Sequence, residues 1–276
     1  MRRSIFIICI CLMGTGAVQA QYYYKDLVSN VQLLDEMSKL KDQKIRTVNI
    51  KSFEDDGSPS DGFYCAKTIN KNFTNVETLT KSNVTGSSLL TSSFDKTGRL
   101  LSTVDSSDIV VNSSRYEYDD NNRIIAIRSS VRSRDDDFAN EIVEWHLYHY
   151  GANGLPEKMI RVKNETDSST ILFSLDEQNN VSIEKDSKTG NTYYYYYDAK
   201  KRLTDVVHLN PFNQKMLPDY LFEYNGAGQI TQMTSTEEGG SYYYIWRYSY
   251  DNGLRIKEKC YSKEKRLMGS IEYEYK

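Results

Sequence analysis

Pairs of residues two positions apart, both aromatic except at Ser92/Phe94 and Phe173/Leu175, recur along this chain, most of them followed by a polar turn and then by an aliphatic residue. Taking the second residue of each pair as an anchor gives Phe94, Tyr118, Tyr150, Leu175, Tyr197, Tyr224, Tyr250 and Tyr275, at intervals of 24, 32, 25, 22, 27, 26 and 25 residues. Side chains at i and i+2 face the same side of a strand. Tyr116, Tyr148, Phe173, Tyr195, Phe222, Tyr248 and Tyr273 therefore share a face with their anchors. Asp95, Asp119, Asp176, Asp198 and Asp251 follow directly, where an Asp side chain caps the N–H groups of a turn. Gly98, Asn122, Gly154, Asn179 and Gly228 stand near the end of the turn, where positive φ is tolerated. Leu100, Ile124, Val181, Leu203, Ile230 and Ile256 then resume a strand. The pattern predicts consecutive β-hairpins joined by longer polar loops, with the aromatics aligned as a ladder. Roughly fourteen strands are more than a flat sheet usually holds. The expected architecture is all-β: an antiparallel sheet, strongly twisted or curled, with the ladder on its concave side.

Two segments fall outside this pattern. Residues 1–20 read as a signal peptide: Arg2 and Arg3, an apolar run from Ile5 to Met13, and the small-residue site Val18-Gln19-Ala20. Cleavage is expected before Gln21, with export to the periplasm, cell surface or exterior. Leu27, Val31, Leu34, Met37 and Leu40 form one apolar stripe, which predicts a helix over 26–43 with Asp26 as its N-cap. The expected organisation is a helical cap over 21–44, covering the open end of the sheet, and a hairpin domain over 45–276 with clear repeats from about residue 90.

Three of the repeats carry a resemblance. Tyr116-Glu117-Tyr118-Asp119 with Arg123-Ile124, Tyr195 to Asp198 with Arg202-Leu203, and Tyr248 to Asp251 with Arg255-Ile256 resemble the YD repeat. That repeat belongs to Rhs-type bacterial surface proteins and, more distantly, to teneurins. The resemblance covers about residues 90 to 276 and implies a hairpin array. In the family, long arrays form a spiralling shell around a cargo domain. This array is short and ends in a half-repeat, so the hairpins carry over and the cargo does not. Some short relatives imply carbohydrate as a partner.

Composition narrows the chemistry. Without Arg2 and Arg3 the net charge moves from -3 to -5, and no basic stripe offers a footprint for nucleic acid. A mean hydropathy of -0.63 beside 23 tyrosines suits thin β-structure. Cys65 and Cys260 pair only if the two ends of the domain meet. His146 and His149 point to opposite faces of one strand, which spoils a shared metal site, and solvated roles are expected for both. His208 lies in a loop-like stretch. Asp55-Asp56, Asp119-Asp120 and Asp135 to Asp137 lack the spacing of a calcium loop. No G-x-S-x-G elbow occurs. Neither a catalytic residue, a metal nor a cofactor is expected, and the chain is not expected to be an enzyme.

Glu117, Glu223, Ser249, Glu272 and Glu274 alternate with the ladder, which argues against an outer-membrane barrel and against any membrane span after signal removal. Trp145, Tyr194, Tyr196 and Tyr243 project from the face opposite the ladder and are the candidate ligand-stacking residues. The expected function is a non-catalytic secreted or envelope module for binding or scaffolding, with a glycan or another envelope protein as partner. The alternatives are a delivery fragment acting with a separate partner, and a hydrolase acting on glycans through a carboxylate pair formed only in the fold.

Overall fold

The computed structural model describes residues 22–135, 141–210, 214–237 and 242–276. The expected signal peptide and part of the Asp135 to Asp137 cluster lie outside them. A single helix, α1 (Tyr24–Asp42), precedes eighteen strands among the described residues. The first six are β1 (Thr47–Glu54), β2 (Tyr64–Ile69), β3 (Asn75–Ser82), β4 (Gly86–Phe94), β5 (Leu100–Ser107) and β6 (Val110–Tyr118). Next come β7 (Ile124–Ser133), β8 (Glu141–Tyr150), β9 (Pro156–Lys163), β10 (Asp167–Leu175), β11 (Val181–Asp186) and β12 (Thr192–Tyr197). The last six are β13 (Leu203–Leu209), β14 (Met216–Tyr224), β15 (Ile230–Thr236), β16 (Tyr243–Asp251), β17 (Leu254–Tyr261) and β18 (Leu267–Tyr275).

Each strand pairs antiparallel with its neighbours in sequence, and β18 pairs with β1. Val48 faces Tyr275 and Ile50 faces Tyr273 across that seam. Lys276 and Thr47 extend it by exchanging backbone bonds of 2.8 and 2.9 Å. The sheet is therefore a closed barrel, and the expected open, curled sheet of YD-type repeats is corrected. The physical reason is the seam. β1 carries no aromatic anchor, yet its backbone satisfies the edge that β18 would otherwise expose.

The capped turns that follow the anchors sit at one end of the barrel. Asp119 shows their construction: its carboxylate accepts the N–H of Asn121 and of Arg123 at 2.9 Å each, and the Arg123 Nε at 2.7 Å. Asp95 with Arg99 and Asp198 with Arg202 repeat the arrangement. Asn122 and Lys201 take positive φ at the turn end, 61° and 59°, where other copies place Gly. The register shifts at a bulge immediately before the anchors, as between Glu117 and Tyr118 and between Glu223 and Tyr224.

The anchors face inward. Ile124, Tyr148, Met159, Ile171, Phe173, Tyr193, Tyr195 and Val206 form one buried cluster against β7–β13. Met37 and Leu40 of α1 join Val48, Ile50, Val76, Phe94, Leu100 and Ile271 in a second, on the opposite wall. Neither glycine nor proline interrupts α1, and Lys39 and Lys41 in its last turn suit the helix dipole. It ends where Lys44 turns left-handed, φ 58°. There Lys44 donates to the Lys41 carbonyl at 3.0 Å and Ile45 to the Leu40 carbonyl at 2.9 Å.

Candidate functional site

Helix α1 crosses the lumen and touches both walls. Nineteen residues at 1.5 Å each give it a length of about 28 Å. Its C-terminal half packs in the cluster lined by β1–β5, β17 and β18, while Leu27 and Tyr24 pack against β7–β13. On the first wall Glu36 meets Lys67 of β2 at 2.6 Å. A face bearing Val31, Gln32 and Asp35 stays exposed.

The N-terminal end is held by polar groups from across the chain. Tyr23 is the N-cap residue and makes no side-chain cap bond. Glu184 of β11 supplies it instead: its two carboxylate oxygens accept the N–H groups of Tyr23 and Tyr24, each at 2.8 Å. Glu184 also accepts the Tyr195 hydroxyl at 2.7 Å and is 2% exposed. A carboxylate there satisfies donors that a helix leaves open and complements its dipole. One turn on, Asp26 lies inside the helix rather than at its cap. Its carboxylate meets the His146 Nδ1 at 2.6 Å and accepts the Tyr148 hydroxyl at 2.8 Å. Glu144 meets the other ring nitrogen of His146 at 2.8 Å. With both nitrogens facing carboxylates, the ring donates twice and carries a positive charge. Arg161 of β9 extends the network to Asp167 at 3.1 Å. Burial pushes the Tyr23 phenol up to about 12, against the pull of Arg161. The Lys25 amine is lowered, again by burial.

The histidine expectations are corrected here. His146 is not solvated but locked between two carboxylates. His208 lies in β13, not in a loop, and its Nδ1 meets Asp219 at 2.8 Å. Cys65 and Cys260 are both buried and are not joined by a disulfide. Cys65 lies 3.5 Å from the Thr80 hydroxyl.

Register places all four sequence candidates on the outer face. Tyr193 and Tyr195 are buried in the lumen, so Tyr194 and Tyr196 point out, Tyr196 being 50% exposed. Trp145 stands between the inward Glu144 and His146 and meets Arg128 across the strand pair. Tyr243 lies opposite Thr236, out of phase with the buried Trp246. Only Tyr194 and Tyr196 are close neighbours. Trp145 on β8, Tyr194 on β12 and Tyr243 on β16 are each four strands apart, about 19 Å at ordinary strand spacing. The residues that organise the lumen were missed. Their signal was available: Glu184 shares a face with Phe173 and Tyr193, and His146 lies two residues before Tyr148. A charge on an otherwise apolar face requires a partner.

No family model matches the chain, and no curated protein matches it. Among solved structures it is similar to a porin-like protein from Bacteroides uniformis, at 10% identity over 84% of this chain and 98% of that one, TM-score 0.42. It is similar to a porin-like protein from Bacteroides vulgatus at 11% identity over the same shares, TM-score 0.32. A TcdB2–TccC3 complex aligns at 12% identity over 78% of this chain and 16% of that one, TM-score 0.30. At these scores the likenesses are loose.

The YD-repeat assignment and the functions hung on it are corrected. A binding or scaffold array needs a free concave face, as does a delivery fragment. Here the concave face is the lumen, filled by the chain's own helix and aromatics. The expectation of no membrane span is corrected as well, because a closed barrel is an architecture that can cross a bilayer. Glu117, Glu223 and Glu274 do point outward as the penultimate residues of their strands, at the rim, whereas Ser249 and Glu272 lie further along the wall. No helix among the described residues is long and apolar enough to cross a membrane, which says nothing of the strands. Among those residues no three His, Cys, Asp or Glu side chains gather as a metal site. The described residues thus form a closed barrel crossed by one helix.

Proposed function

We propose that the chain is a porin-like envelope barrel occluded by its own helix, a plugged wall closed to solute at rest. The observation that carries this is α1, which bridges opposite walls and is bonded to Glu184 and His146 at one end and Lys67 towards the other. A lumen crossed in this way passes no continuous column of water. The outer face of β8–β16 supports a seat in the envelope, since Trp145, Ile160, Leu172, Tyr194, Leu221 and Ile245 face outward there, with Lys158, Asp205 and Arg247 among them. Lys257, Glu272, Lys51, Arg115 and Arg128 mark the remaining wall, so the seat is one-sided.

Two measurements test this. The exported chain is floated with phospholipid vesicles and then reconstituted in a planar bilayer. The expected result is co-flotation without steady conductance, and stepwise conductance from an Asp26→Ala, Glu184→Ala variant that retains its β-sheet spectrum. Steady conductance from the unaltered chain would overturn the plug. A chain left entirely in the aqueous fraction would overturn the seat.

A further inference from the structure

We infer that α1 is a hinged bolt, fixed at its C-terminal end and held at its N-terminal end by a separable polar latch on β8 and β11. This deepens the plugged-barrel reading and rests on it for the consequence, an opened lumen; the latch itself stands on its own contacts.

The two ends differ in kind. At the C-terminal end Met37 and Leu40 are buried, Leu40 completely, among aliphatic side chains of β1–β5. The chain then passes within five residues into β1, where Arg46 and Thr47 donate to the Lys276 carbonyl at 2.7 and 2.9 Å. That end cannot leave without breaking the seam of the barrel. At the N-terminal end, between Tyr22 and Ser29, no residue is fully buried. Its strongest contacts are the two amides on Glu184 and the pair of Asp26 with His146 and Tyr148. None of these closes the wall. Tyr22 and Tyr24 add tilted ring contacts to Tyr193, Tyr195 and Phe173, with centroids 5.2–6.3 Å apart.

The wall beneath keeps its own bonds without the helix. β8–β12 are paired strand to strand throughout, and the Tyr197 hydroxyl donates to the Val181 carbonyl within the wall. Withdrawal of the first two turns therefore exposes Tyr148, Phe173, Tyr193 and Tyr195 around the Glu184 carboxylate and leaves the barrel closed. Structures open locally in units whose release leaves the remaining core intact; the latched end of α1, whose Tyr22, Tyr23, Tyr24 and Leu27 pack against the wall only partly buried, is such a unit.

Native-state hydrogen exchange on the exported chain tests this. In low denaturant, amides 26–31 are expected to exchange with roughly tenfold or more less protection than amides 37–41 and those of β17 and β18. Glu184→Gln and, separately, Asp26→Asn are expected to raise exchange in the first group about tenfold further and leave the others unchanged. Equal protection in the unaltered chain, or joint loss in both variants, would show that α1 and the wall open as one unit and would overturn the latch. A split in protection, with an Asp26→Ala, Glu184→Ala variant that conducts no more than the unaltered chain, would keep the latch and discard the plug.

Discussion

Single residues set the tight turns. Asp119, Asp176 and Asp198 are held below the usual carboxylate range by hydrogen bonds from the side chain and backbone of Arg123, Asn180 and Arg202. Asp95 is lowered as well: desolvation opposes the shift, and hydrogen bonds from Thr97 and Arg99 outweigh it. A lowered carboxylate adds stability above its unfolded value, near 4, that is lost as pH falls through the folded value. Stability is thus expected to decline steeply below about pH 4. Asn225 already builds the same turn without a charge, accepting from Ala227 and Gln229 at 3.0 Å. Asp119→Asn with Asp198→Asn should lower stability at pH 7 and flatten its slope between pH 5 and 3, read from denaturant midpoints. An unchanged slope would remove the turns as the acid-sensitive groups. Lys201 holds φ 59°, a position that Asn122 and Asn179 fill in sister turns. Lys201→Asn should relieve about 0.5–1 kcal/mol of strain and raise Tm by roughly 1–4 °C, measured by calorimetry.

At the scale of elements, neighbouring hairpins are joined by a repeated contact. The Tyr224 hydroxyl donates to the Leu203 carbonyl of the hairpin before it, and Arg202 of that hairpin lies over the Tyr224 ring at 4.5 Å. Tyr150 with Ile124 and Arg123 repeats it, as does Tyr118 with Leu100 and Arg99. One ring thus links a turn to the next strand pair. Tyr224→Phe should cost about 1 kcal/mol through the lost hydrogen bond. Arg202→Lys should cost a similar amount, since Lys replaces neither the fork to Asp198 nor the planar stack. A double-mutant cycle reads the link: a coupling near zero would mean that the ring and the guanidinium act independently.

For the whole molecule, closure is decided by one seam. Truncation after Ser262 removes β18 and exposes the edges of β1 and β17. Loss of cooperative unfolding and association through those edges are expected, by calorimetry and size-exclusion chromatography. A monomeric, cooperatively folded truncation would show that the ring does not depend on the seam.

What was legible in the sequence was local. The Asp–x–x–Gly/Asn turns, the inward period-two aromatics and the helix itself depend on neighbours a few residues away, so the chain by itself determined them; of the expected stripe, Leu27, Leu34, Met37 and Leu40 pack inward and Val31 does not. The same alternation put Trp145, Tyr194, Tyr196 and Tyr243 on the far face, but could not measure the strands between them. Closure was not legible, because β1 and β18 are joined through backbone bonds that leave no mark on side-chain type. The place of α1 was not legible either. Its partners Glu184 and His146 lie about 160 and 120 residues away, and only the tertiary structure brings a charge on an apolar face to the helix end that neutralises it.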